Sequence, residues 1–177
     1  MTGPSTSHAD WIEATLQRYE APLIRYAARM TGDLETARDV VQDTFLKLCI
    51  AERAQVDGHL APWLYRVCRN RALDVIKKEQ RMQPLSTGQA EARPSPAPQP
   101  RAAAEGREAE AALLGAVDTL PDKQREAFRL KFQEQLSYRE ISEVTGYPLN
   151  NVRYLIHTAL ATLREELRGS LGLAAEL

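Results

Sequence analysis

Between Leu85 and Leu113 the chain carries not one large apolar side chain, and five of its ten prolines fall from Pro84 to Pro100. A segment of that composition cannot bury a core of its own. The alternation Pro94, Pro96, Pro98, Pro100 favours an extended polyproline path. The pattern predicts a Pro/Ala-rich linker at about 82–108 joining two small domains, 1–81 and 109–177; an ordered loop is the alternative. Some 25 linker residues would reach roughly 25 to 30 Å as a coil and up to about 75 Å fully extended.

Composition narrows the class. With 44% hydrophobic and 27% charged residues the 177-residue chain has globular proportions. No window approaches a membrane span, and the N-terminus MTGPSTSHAD lacks the basic and apolar parts of a secretory signal, so the chain reads as cytoplasmic, without membrane insertion. Cys49 and Cys68 stand far apart and outside any CxxC pairing, which reads as two reduced, buried thiols. The net charge of −1 is unevenly spread. Residues 1–58 hold six basic and nine acidic side chains, whereas 59–83 hold six and two. Residues 84–177, with eleven and thirteen, have no comparable excess. Weak DNA affinity of the free chain follows, because phosphate neutralisation supplies most non-specific binding.

Periodicity before the linker is helical throughout, so the fold class is all-α. A first helix is expected from about Ala9 to Met30, broken by the TGD at 31–33, with Asp33 capping the next. In that second helix Ala37, Val40, Val41, Thr44, Phe45 and Leu48 form a core stripe. The stretch 52–60 reads as a loop, and Pro62 suits the first turn of a third helix ending near Glu79. Leu64, Val67, Cys68, Ala72, Val75 and Ile76 should face inward there, leaving Arg66, Arg69, Asn70, Asp74 and Lys77 outward.

After the linker, Glu108 to Asp118 reads as a helix, and another begins at Pro121. Ser137 and Glu140 have the spacing of a capping box opening a short helix that stops at Gly146. A longer helix follows. Val152, Ile156, Ala159, Leu163 and Leu167 repeat on one side of it, with Asn150, Asn151, Arg153, Tyr154 and His157 outward near its start. Two helices about a tight glycine turn, the second polar at its beginning, fit a helix-turn-helix.

Enzymatic chemistry finds few parts. His8, His59 and His157 are scattered, and the sequence holds no glycine-rich phosphate loop, HExxH or GxSxG. Asp39 and Asp43, one turn apart, read as a solvated or partner-binding face rather than a catalytic pair. No catalytic residue, metal ligand or cofactor is assigned.

The blocks DVVQDTFLKL at 39–48, WLYRVCRNRALD at 63–74, and LPDKQREAFRLKF followed by LSYREISEVTG resemble, in order, the sigma factors of bacterial RNA polymerase, specifically the extracytoplasmic-function group. The resemblance implies that the second helix binds the polymerase clamp, through Asp39, Gln42, Asp43 and Leu46. An exposed leucine among acids and an amide is suited to a helix-on-helix interface; alternatively Leu46 widens the core stripe. It implies too that the third helix and the loop before it melt the minus-ten element. His59 lies in the loop 57–60, a candidate pocket for an unstacked base, Asn70 can read a base edge, and Arg66, Arg69 and Lys77 can hold phosphates. Trp63, and with it Tyr65, is either a stacking contact or core. Asp74 is assigned to orienting Arg66, Arg71 or Lys78.

At the minus-thirty-five element the resemblance implies reading by Arg139, Asn150, Asn151, Arg153, Tyr154 and His157. Leu155, Thr158, Leu160 and Thr162 depart from it, standing where the family commonly has basic residues. Leu155 and Leu160 widen the apolar face, which would pack on the tail with Leu171, Leu173 and Leu177 or on an inhibitory partner. The expected function is that of a promoter-specificity subunit whose partners are RNA polymerase core, promoter DNA and an anti-sigma factor or other inhibitor. A sigma-like adaptor and a free-standing helix-turn-helix regulator are the alternatives.

Overall fold

The computed structural model describes residues 7–82 and 113–170, all helical where regular. The helices are α1 (His8–Thr31), α2 (Leu34–Ile50), α3 (Arg53–Val56), α4 (Leu60–Met82), α5 (described over 113–119), α6 (Asp122–Phe132), α7 (Tyr138–Thr145) and α8 (Leu149–Ser170). The chain divides into two compact units, Met1–Ala97 and Pro98–Leu177. Beyond residue 82, the expected linker lies outside the described residues, as do the start of the helix expected at Glu108 and the tail leucines 171, 173 and 177.

In the first unit, caps fix where the helices begin and end. Ser7 and Asp10 exchange side-chain and backbone hydrogen bonds at 3.0 and 3.1 Å, satisfying two donors that a helix start leaves orphaned. Gly32 ends α1 at φ 74, a conformation costly for any residue with a Cβ, and donates to Ala28 O at 2.8 Å. Asp33 then caps α2 by accepting the Thr36 N–H at 2.7 Å, which holds its carboxyl below the ordinary value. The turn reverses the chain, so that His8 at the start of α1 approaches the Cys49 carbonyl near the end of α2, at 3.4 Å.

All six residues of the expected α2 stripe are buried, against α1 and α4. Tyr26 of α1 meets Tyr65 of α4 edge to face, centroids 5.2 Å apart, a favourable aromatic geometry. Thr15 and Thr44 enter this core by returning their hydroxyls to the carbonyls of Trp11 and Val40, both at 2.8 Å, so no donor is left unsatisfied. Cys68 is fully buried beside Thr44, and desolvation pushes its thiol up to about 12. Cys49 is exposed, which corrects the expectation of two buried thiols: it sits at the flank of the stripe, where the start of α1 leaves it uncovered.

One other expectation needs correction here, and one holds. The stretch 52–60 contains the single-turn α3, whose Val56 is buried; four residues are too few for periodicity to register. Pro62 is the third residue of α4, still within the first turn where its missing N–H costs no helical bond.

In the second unit α6, α7 and α8 pack on one another around Leu120, Leu130, Ile141, Val152 and Ile156. Pro121 is the N-cap of α6 rather than its first helical residue. The Arg125 guanidinium donates to Leu120 O at 2.7 Å, and Arg129 pairs with Asp118 at 2.5 Å, joining α6 to the end of α5. Thr119 reaches the Glu166 carboxylate of α8 at 2.9 Å. Among the described residues no helix is long and apolar enough to cross a membrane.

Candidate functional site

Two surfaces of the first unit carry its exposed chemistry. On α2, Asp39 and Gln42 are exposed and Leu46 is 59% exposed, while the opposite side of the helix is wholly buried. Leu46 therefore does not widen the core. Ile50, one turn further on, is 85% exposed, a residue that the sequence reasoning passed over because it closes the helix outside the core stripe. Asp43 differs from its neighbours: it is half-buried and accepts from Arg71 Nε of α4 at 2.6 Å. Its carboxylate is thus shared with a cation of the chain's own α4, and Arg71, one of the three partners expected for Asp74, pairs with Asp43.

On α4, Arg66, Asn70 and Lys77 are exposed at i, i+4 and i+11, one face of the helix. Arg69 is half-buried and already engaged within the chain, so it stands less freely than expected. His59 is exposed just before the helix, next to Gly58 at φ 90, and its carbonyl accepts the Trp63 N–H at 3.1 Å. Trp63 is half-buried. Tyr65, 1% exposed, belongs to the core and is removed from the stacking candidates.

The second unit presents its polar side chains on a capped helix pair. Ser137 and Glu140 form the reciprocal capping box, at 3.3 and 2.7 Å, and Gly146 closes α7 in the left-handed region at φ 75. Ser142 Oγ then donates to Tyr147 O at 2.6 Å, fixing the turn into α8. Arg139, Asn150, Asn151, Arg153, Tyr154 and His157 are all exposed, Tyr154 by 64%. A run of polar and cationic groups at a helix start suits both base edges and phosphate.

The arginine-poor positions of α8 find a physical reason. Leu155 is 7% exposed and packs inward, three residues after buried Val152. A cation at that position would be desolvated in the core. Thr158 bonds back to Tyr154 O at 2.9 Å, and Leu160 lies against the cluster of Ala116, Leu120, Phe128 and Leu163. Leu155 thus contributes to its own domain, while the tail leucines expected to pack on this face lie outside the described residues. Among the described residues no cluster of His, Cys, Asp or Glu could hold a metal.

Known proteins carry the same two parts in the same order. The family of sigma-70 region 2 matches residues 15–82, and that of sigma-70 region 4 matches 110–163. The chain is similar to the ECF RNA polymerase sigma factor SigE of Mycolicibacterium smegmatis, 30% identical over 171 residues, covering 94% of this chain and 65% of that longer protein. It is also similar to the ECF sigma factor SigM of Bacillus subtilis, 28% identical over 158 residues, covering 86% of this chain and 93% of that one. The sigma factor RpoE of Bartonella quintana, solved in complex with the anti-sigma factor NepR, shares the fold with a TM-score of 0.61 at 19% identity, over 89% of this chain and 97% of that one. With region 2 borne by the α1–α4 unit and region 4 by the helix-turn-helix unit, the chain belongs to the extracytoplasmic-function group of the sigma-70 family, the non-enzymatic initiation factors that direct RNA polymerase to promoters.

Proposed function

We propose that the first unit docks on the polymerase clamp through α2 and opens the minus-ten element with α4, while α8 reads the minus-thirty-five element. The observation that supports this best is the pair of polar helix faces, one per unit, each backed by a buried apolar side: Arg66, Asn70 and Lys77 on α4, and Asn150, Asn151 and Arg153 on α8. On α2, Asp39, Gln42, Asp43 and Leu46 supply an apolar anchor within an acidic and amide surround, the former for affinity and the latter for orientation. His59 and Trp63 flank the start of α4 and are assigned to the unstacked strand. Arg69 is assigned to a phosphate at the edge of that face, and Arg139, Tyr154 and His157 to the flanks of the minus-thirty-five contact.

The partners are RNA polymerase core and promoter DNA, and the place of action is the cytoplasm. An anti-sigma factor completes the set, as one holds RpoE of Bartonella quintana. The test is reconstituted transcription. The chain is added to core polymerase on a library of genomic fragments, and transcript starts are sequenced. Starts sharing two upstream motifs about one and a half DNA turns apart are expected, with Asn70→Ala abolishing opening and Asn150→Ala relaxing the upstream motif. Transcription no greater than that of core alone would overturn the proposal.

A further inference from the structure

Asp43 stands where two surfaces of the first unit adjoin. It belongs to the α2 row of Asp39, Gln42 and Leu46, yet its Oδ2 accepts from Arg71 Nε of α4 at 2.6 Å. Arg71 directly follows Asn70, so its side chain leaves α4 about 100° round from the face of Arg66, Asn70 and Lys77. Lys78, seven residues on, is exposed in the same row. The ion pair itself is open to water, with 41% of the Arg71 side chain and 39% of that of Asp43 exposed.

That exposure decides what the pair can do. A buried ion pair is costly to separate, because either partner left alone is an uncompensated charge. A half-exposed pair is worth a factor of a few at most, since water solvates both groups when they part. While the pair is closed, the carboxylate cancels the guanidinium charge, and a cancelled charge releases no counterion from a phosphate. Residues 59–83 hold six basic side chains, the chain's one basic excess, and Arg71 is among them. Its pairing with Asp43 therefore subtracts from the charge that the α4 region offers to DNA.

We infer, resting on the α2 docking surface proposed above, that Arg71 is a further DNA-binding residue, masked by Asp43 in the free chain and released to a phosphate of the melted minus-ten strand when polymerase supplies Asp43 with a cation of its own. Asp43 changes partner and Arg71 gains one. The exchange needs only a rotation of the Arg71 side chain, with α2 and α4 left packed on each other. Docking and strand binding then favour each other by the same factor, as linkage requires. A free chain holds this cation back, and a docked one brings it to the strand.

The experiment measures two affinities of the full-length chain, for core RNA polymerase and for a fluorescent oligodeoxythymidine, which offers phosphates without promoter sequence. In the free chain Asp43→Asn is expected to raise affinity for the strand about threefold at low salt and to steepen the log affinity against log salt slope by about 0.7. Loss of any acid favours DNA, so the same change is made in the Arg71→Gln background, where the gain must vanish. Toward core, Arg71→Gln is expected to bind about threefold tighter than wild type, because Asp43 no longer has a partner to leave. Circular dichroism checks that each variant folds. An Asp43→Asn gain that persists without Arg71 is general electrostatics and overturns the inference, as does no gain at all. Core binding by folded Arg71→Gln that is unchanged or weaker makes the pair a brace of the docking surface and overturns it too. If Leu46→Glu and Asp39→Arg bind core as wild type, the α2 surface falls and the release with it. If those two lose core while the strand measurements fail, the masking of Arg71 alone falls.

Discussion

Arg71 Nε lies 2.6 Å from Asp43 Oδ2, so the helix that faces promoter DNA in our proposal is tied by an ion pair to the helix that faces polymerase. Both side chains are about 40% exposed, at 41% and 39%, which limits the pair to the modest range of solvent-screened bridges. Arg71→Ala is expected to cost the first unit about 0.5 to 1 kcal/mol, less at high salt. The charge-swapped pair Asp43→Arg/Arg71→Asp should recover part of it. Urea unfolding followed by tryptophan fluorescence reads this unit alone, because Trp11 and Trp63 are the chain's two tryptophans. A swap no better than either single variant would contradict the tie.

The second unit depends on how α7 is closed at both ends. Ser137→Ala removes the N-cap acceptor and should cost about 1 kcal/mol. Gly146→Ala meets no steric neighbour within 4 Å, so its cost of about 1 to 2 kcal/mol comes from the backbone at φ 75 alone. Hydrogen exchange by mass spectrometry over α7 and the start of α8 should show faster opening in both variants. Unchanged protection would mean that the helix pair is held by its core without help from its caps.

The two thiols should behave oppositely. Burial disfavours the Cys68 thiolate and pushes its pKa up to about 12 from 9.0, whereas Cys49 is exposed. Because the folded value lies above the unfolded one, this group's stabilisation is complete below pH 9 and is lost as pH rises from 9.0 toward 12. Iodoacetamide at pH 8 should therefore label Cys49 and spare Cys68 until the chain is unfolded. Equal labelling of both in the native chain would place Cys68 outside the core.

On α4 the roles of base reader and phosphate holder separate by salt dependence. Arg66→Ala and Lys77→Ala in holoenzyme should each flatten the log affinity against log salt slope by about 1 on a single-stranded minus-ten fragment. Asn70→Ala should leave the slope in place and lose preference among fragment sequences. If Asn70→Ala flattens the slope instead, its contact is with the backbone.

Much of this architecture is legible in the sequence, and the exceptions have identifiable causes. The α2 stripe Ala37, Val40, Val41, Thr44, Phe45 and Leu48 is buried residue for residue because 3.6-fold periodicity leaves one face for the core. The capping boxes and glycine stops are local chemistry, and Ser137, Glu140 and Gly146 do what their types dictate. What escapes is what depends on a neighbouring helix. Asp43 and Arg71 are 28 positions apart, and nothing local says that they meet. Tyr65 and Leu155 were within reach: each lies at a position that continues a buried stripe, through Leu64 and Cys68 in one case and Val152 and Ile156 in the other.

The most direct measurement is the affinity of the purified chain for core RNA polymerase, with Leu46→Glu and Asp39→Arg as comparisons. Both positions are exposed and outside the core, so the variants should fold as wild type. The account predicts a wild-type complex that survives size-exclusion chromatography and is lost or severely weakened in both variants. A folded Leu46→Glu variant that binds core as tightly as wild type would contradict it.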